Sequence, residues 1–306
     1  MDSGFRIAVV GAGSVGAYYG ARLASVADVS FLMRRDLEVV RRKGLRIHSV
    51  AGDLHLDPVQ AFATTEAIGP VDLVLIAVKA TVNEVLPSLI PPLLKGDTIL
   101  LTLQNGLGNE DFLDRHFPGH PVLGGMCFVC INRGEPGEIH HLAHGKVEMG
   151  AFSHPESLEV VAGLFVQAGV DCRVLPDLGL ARWRKLVWNV PFNGLAIAAG
   201  GLDTREILAD PALLLRTRAL MGEVIDVAAA LGHTIKPEFA EANIRGTLEM
   251  GPYRPSSLVD FLAGQAVEVE SIWGAALREA GRVGVAVPEL ERLYREICAA
   301  TGTEPE

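Results

Sequence analysis

In the first half of the chain, apolar residues fall into short runs divided by glycine, proline and acidic residues. Residues 6–10, 28–33, 71–78, 98–102, 122–129 and 146–150 read as strands, the run at 71–78 as a buried one despite Asp72. A helical pattern follows the first strand at once, and a further helix ends near Leu94, Lys95 and Gly96. Strands alternating with helices in this way predict βαβ units on a parallel sheet. Beyond Asp177 the strand signal all but vanishes, and residues 181–199, 211–231, 236–250, 257–282 and 288–300 carry helical periodicity. The expected architecture is an α/β domain over residues 1–176 followed by an all-α C-terminal domain over residues 177–306. No flexible linker separates them, so tight packing of the two halves is expected.

The turn after the first strand gives the α/β half a purpose. Gly11, Ala12, Gly13, Ser14, Val15 and Gly16 spell G-x-G-x-x-G, between a strand and a helix, with Gly20 one turn further on. The first glycine allows a tight turn, the second lets backbone approach a pyrophosphate, and the third lets helix pack on strand. The helix N-terminus then offers amide donors to the phosphates. This predicts a Rossmann-type dinucleotide-binding domain. At the end of the second strand an NAD site carries an acid for the ribose 2′-hydroxyl. Here the chain reads Phe31, Leu32, Met33, Arg34, Arg35, and the nearest acid is Asp36. A guanidinium at Arg34 suits a 2′-phosphate through fork-shaped, charge-assisted hydrogen bonds, so NADP(H) is the expected cofactor. A solvated pair of surface arginines is the competing reading.

In the helical half, Lys185, Asn189 and Asn193 are spaced by four and four. On a helix each such step advances ~400°, which keeps the three within about 80° of one another on one stripe. Polar groups among Leu186, Val187, Trp188 and Phe192 need a reason to be there, and Pro191 should kink the helix between the asparagines. Further on, Ser257 and Asp260 resemble an N-terminal helix cap. Glu268 follows eleven residues after Ser257. Eleven helical steps return to within about 20° of the same face, so serine and glutamate could line one cleft.

Composition excludes more than it selects. Of 306 residues 49% are hydrophobic, and 27 basic against 37 acidic residues leave a net charge of −10. An acidic chain does not hold nucleic acid or anionic membrane by bulk electrostatics. The N-terminal residues contain no long apolar segment with a cleavage site, and no run approaches the ~18 apolar residues of a membrane span. With only four cysteines, no disulfide framework is expected, and the location is read as cytoplasmic. Cys127 and Cys130 have C-x-x-C spacing, with His140, His141 and His144 downstream. On a strand, residues three apart face opposite sides, so buried thiols rather than a metal or redox site are expected.

Taken together, these residues are similar to the ketopantoate reductases (2-dehydropantoate 2-reductases) across both halves. The resemblance rests on Gly11 to Gly16, Arg34, Val78-Lys79-Ala80, Leu103-Gln104-Asn105-Gly106 and Trp183-Arg184-Lys185-Leu186 with Asn189 and Asn193. It continues through Ser256-Ser257-Leu258-Val259-Asp260, Glu268 and Gly284-Val285-Ala286-Val287-Pro288. It implies NADPH-dependent reduction of 2-dehydropantoate to pantoate, or of a closely related 2-oxoacid, on the route to pantothenate and coenzyme A. Lys79 and Asn105 would contact cofactor, the asparagine near the nicotinamide ribose. Lys185 would be the catalytic lysine, and Glu268 the carboxylate holding substrate and lysine in register. Asn189, Asn193 and Ser256 or Ser257 would hold the substrate's hydroxyls and carboxylate, in the cleft between the halves.

Three departures fall on the substrate side. The family's Thr-Glu-Ile-Asp around the glutamate is Val267, Glu268, Val269, Glu270 here, a frequent asparagine is Asp203, and the Ser-Ser pair sits one residue closer to Glu268. Two other readings stay open: another NADP-dependent hydroxyacid dehydrogenase on the same architecture, and a non-enzymatic NADP-binding sensor. The partner is a small 2-oxoacid, and a homodimer is compatible with the sequence.

Overall fold

The computed structural model describes residues 4–304. The chain divides into two compact units, one running to Gln104 and resuming over Asn109–Leu178, the other comprising Asn105–Gly108 and the chain from Gly179 onward.

The first unit is built on ten strands: β1 (Arg6–Val10), β2 (Asp28–Leu32), β3 (Leu45–Ser49), β4 (Leu54–Leu56), β5 (Gln60–Phe62), β6 (Leu73–Ile76), β7 (Ile99–Thr102), β8 (Val122–Arg133), β9 (Glu138–Ala151) and β10 (Cys172–Val174). Its helices are α1 (Ser14–Leu23), α2 (Leu37–Lys43), α3 (Leu86–Leu89), α4 (Asn109–His116) and α5 (Leu158–Gln167). Strands β5-β2-β1-β6-β7-β8 lie side by side and all parallel. This is the doubly wound order, whose reversal point falls between β1 and β6. Alternation along β1 explains why both faces must be covered. Ile7 and Val9 enter one apolar core with Tyr19, Phe31 and Leu75, whereas Ala8 and Val10 enter another with Val74, Ile76 and Leu100.

The sheet is mixed, not purely parallel as the run pattern suggested. Strands β8 and β9 form a long antiparallel pair from Leu123↔Ala151 to Arg133↔Ile139. A link of four residues, 134–137, cannot make the crossover that parallel pairing needs. Strand β4 also pairs antiparallel with β3. The strands that the apolar runs do not reveal are short and polar on one face, as in β3, where Arg46 and His48 are exposed between buried Leu45 and Ile47. Prolines 87, 91 and 92 break the expected helix before Gly96 into short turns around α3.

The second unit is helical: α6 (Leu178–Ala198, its first residue counted with the first unit), α7 (Thr204–Ala209), α8 (Pro211–Ala230), α9 (Glu238–Met250), α10 (Ser256–Leu262), α11 (Ala275–Val283) and α12 (Pro288–Thr301). Helix α6 runs through Pro191 without interruption. The helix expected over 257–282 is two. Gly264, at φ +64°, ends α10 in a left-handed cap, residues 263–268 are irregular, and a π-helical turn (Glu270–Gly274) leads into α11. The shared-face argument for Ser257 and Glu268 therefore fails. The core centres on Trp273, fully buried, whose indole donates to the Val190 carbonyl at 3.0 Å. No helix among the described residues is long and apolar enough to cross a membrane.

Candidate active site

In the first unit, the turn after β1 sits at the reversal point of the sheet. Gly11 has φ +100°, and a Cβ there would lie 2.5 Å from the Val78 amide nitrogen, so only glycine lets the turn press onto the chain leaving β6. A Cβ at Gly16 would run into the Gly11 carbonyl, and one at Gly20 would come within 2.5 Å of the Phe31 ring. Gly13 differs, because a Cβ there would meet no protein atom within 4 Å. Its backbone borders open space at the start of α1, where no side chain caps the first amides. A bare glycine and uncapped amides at a helix N-terminus fit a dinucleotide pyrophosphate. Ala12, Ser14 and Val15 complete the turn.

Arg34 lies two residues beyond β2, exposed, and makes no hydrogen bond or ion pair with the described residues. Asp36 is occupied elsewhere: its Oδ2 accepts from Arg133 Nη2 at 2.5 Å and from the Gly137 amide at 3.4 Å. Half-buried Lys79 opens the 3₁₀ turn after β6. Sequence reasoning missed a buried hydrogen-bond chain beside it. Thr102 Oγ1 donates to Gln104 Oε1 at 2.9 Å, Gln104 Nε2 to Asn83 Oδ1 at 2.7 Å, and Asn83 Nδ2 to Asn109 Oδ1 at 2.9 Å. These bonds fix the exit of β7.

In the second unit, Lys185 Nζ donates to Asn105 Oδ1 at 2.9 Å, joining two residues eighty positions apart. The loop carrying Asn105 is anchored by a contact that had no sequence signal. Gly106, at φ +84°, lies so close to Ser271 that any Cβ would strike the Ser271 carbonyl, which also accepts from the Leu107 amide at 2.9 Å. Ser271 belongs to the π-helical turn, a local distortion often found at functional sites. Glu268, 9% exposed, lies two residues before that turn.

Along α6, Asn189 is 7% exposed and Asn193 2%. Asn193 Oδ1 accepts from the Ser257 amide at 2.9 Å, so it caps α10 in place of the Ser257–Asp260 cap the sequence suggests. Among the described residues the Asn189 amide group and the Ser257 hydroxyl, on a residue 4% exposed, make no hydrogen bond. No fully enclosed side-chain polar atom among the described residues lacks a partner, so these groups reach accessible surface. Buried polar groups left open in this way are what a polar ligand would satisfy. Ser256, by contrast, is exposed. Asp203 has its own task, forming a reciprocal capping box with Glu206 at the start of α7.

The cysteines are thiols, and among the described residues no group of three or more His, Cys, Asp or Glu is placed to hold a metal ion. Burial, then the charge of Asp171, pushes the Cys172 thiol up to about 11.

A mixed sheet with a doubly wound parallel core and a glycine turn at its reversal point, in one chain with a helical unit carrying a held lysine, is the frame of an NAD(P)-dependent oxidoreductase acting on CH–OH groups. Residues 7–154 match the model for "Ketopantoate reductase PanE/ApbA" and residues 177–300 its C-terminal counterpart. A 2-dehydropantoate 2-reductase of Nostoc sp. is 37% identical over 95% of this chain and 94% of its own length. The crystal structure of 2-dehydropantoate 2-reductase from Geobacter metallireducens, 42% identical, superposes with a TM-score of 0.93 over 97% of this chain and all of that one. That from Methylococcus capsulatus, 36% identical, gives 0.88 over 95% of each. The chain belongs to the ketopantoate reductase PanE/ApbA family.

Proposed function

We propose that the protein reduces 2-dehydropantoate to pantoate with NADPH, in pantothenate and coenzyme A biosynthesis, which carries a cytoplasmic location with it. The observation that carries the reading is the α6 stripe, with Lys185 held by Asn105 and the buried Asn189 amide group left open by the protein, as is the Ser257 hydroxyl on α10. When bound, the reduced nicotinamide supplies a hydride to the ketone carbon. Lys185 answers the charge that develops on the carbonyl oxygen, donating the Nζ proton to it. Asn105 holds the ammonium in one position beforehand, so little orientational freedom is lost as the proton moves. The Asn189 amide, the Ser257 hydroxyl and the Asn193 amide nitrogen offer donors to the substrate carboxylate and an acceptor to its distal hydroxyl. Glu268 keeps substrate and lysine in register. In the first unit, the α1 amides and Gly13 hold the pyrophosphate, Arg34 the 2′-phosphate, and Lys79 a further part of the cofactor.

A sensor without catalysis would keep the glycine turn and have no use for a held lysine. The test is NADPH consumption over a panel of 2-oxoacids. A substrate lacking only the distal hydroxyl, 3,3-dimethyl-2-oxobutanoate, should lose about tenfold to hundredfold in kcat/KM against 2-dehydropantoate, because an open amide is then left unpaired. Equal turnover would favour a different hydroxyacid dehydrogenase. For the cofactor, Arg34→Ala should weaken NADPH by about tenfold to hundredfold, the loss of charge-assisted bonds to phosphate, and NADH by less than about threefold. Equal weakening, measured by equilibrium binding, would contradict the phosphate assignment.

A further inference from the structure

The end of β2 presents a problem of charge. Two exposed arginines, Arg34 and Arg35, are followed directly by an acid, Asp36. In an NAD site an acid near this point accepts from the ribose 2′-hydroxyl, and an ionised carboxylate there would repel a 2′-phosphate. The structure deals with Asp36 from a distant part of the chain. Arg133, the last residue of β8 and ninety-seven positions on, donates to Asp36 Oδ2 at 2.5 Å, and the Gly137 amide in the β8–β9 link adds a second donor at 3.4 Å. The Asp36 side chain is only 14% exposed. Its charge is matched and one oxygen is taken up by the hairpin. Arg34 and Arg35 meanwhile make no bond to the described protein.

We propose that Arg133 is a specificity-determining positioning residue. By holding Asp36 against the β8–β9 hairpin it withdraws the acid nearest this strand end from a ribose 2′-hydroxyl, and leaves the neighbouring arginines to a 2′-phosphate. The proposal rests on the NADPH reading above and adds the residue that enforces it. Arg133 acts through Asp36, not on the cofactor itself.

Binding of adenosine 2′,5′-bisphosphate and of 5′-AMP to the full-length protein, followed by calorimetry, isolates this subsite from catalysis. Arg133→Met should weaken the bisphosphate by about tenfold while 5′-AMP holds or tightens, since a charge-bearing hydrogen bond is lost on one side and offered on the other. Adding Asp36→Asn to Arg133→Met should restore bisphosphate affinity to within about threefold of wild type, a rescue that general damage to the hairpin would not allow. Arg133→Lys, which keeps the cation, should retain the wild-type ratio and serves if the methionine variant fails to fold. A double variant as weak as Arg133→Met would mean that Arg133 acts on the phosphate directly, and an unchanged ratio in Arg133→Met would mean that it has no part in the choice. Either result overturns the proposal. Failure of the underlying reading looks different: wild type would bind both probes alike, and Arg34→Ala would weaken both equally.

Discussion

Replacing Lys185 with methionine is expected to lower kcat for 2-dehydropantoate by about 10²–10⁴-fold, the usual worth of a positioned proton donor. The dissociation constant for NADPH should change by less than about threefold, because the glycine turn and Arg34, the proposed phosphate contacts, are untouched. The argument is geometric. Lys185 Nζ sits 2.9 Å from Asn105 Oδ1, and Asn105 is set by Gly106 against Ser271. That bond fixes where the ammonium sits before any ligand arrives. Methionine preserves much of the length and apolar stem and removes the ammonium with its charge and donors, so a loss confined to kcat reports chemistry. A variant that turned over at the wild-type rate would remove Lys185 as the acid.

Trp273→Ala should destabilise the helical unit by about 3–5 kcal/mol, the range for emptying a large aromatic site in a core. Trp273 is fully buried, its indole is bonded to the Val190 carbonyl at 3.0 Å, and a Cβ on Gly194 would lie 2.9 Å from the same nitrogen, so the ring fits against α6 with no slack. The same residue lies within the π-helical turn that anchors the Asn105 loop. Urea titration followed by circular dichroism should therefore show an early transition of the helical unit. A shift below about 1 kcal/mol would mean that the core relaxes around the cavity.

Which parts of the molecule are legible in the sequence follows from the range of the interactions that make them. The glycine turn is legible because its four glycines lie within ten residues between one strand and the next helix, although the neighbour that constrains Gly11, Val78, is distant in the chain. The α6 stripe is also local, since helical period alone places Lys185, Asn189 and Asn193 on one face. The hairpin half of the sheet is hidden because β3, β9 and β10 interleave polar and apolar residues, and their pairing is decided across distant segments. The break after α10 is misread because Gly264 interrupts an otherwise periodic run. Gly106 against Ser271, Asn193 on the Ser257 amide, and Arg133 on Asp36 are contacts between residues 64 to 165 positions apart, and no spacing rule reports them.

The central claim is that a lysine held on α6 serves the reduction of 2-dehydropantoate by NADPH. Mixing the wild-type protein with both, following cofactor absorbance and identifying the product by mass spectrometry, tests it most directly. The expected result is one pantoate formed for each NADPH consumed, at a rate that falls with Lys185→Met. Tight NADPH binding with no turnover of 2-dehydropantoate or any other 2-oxoacid would contradict it.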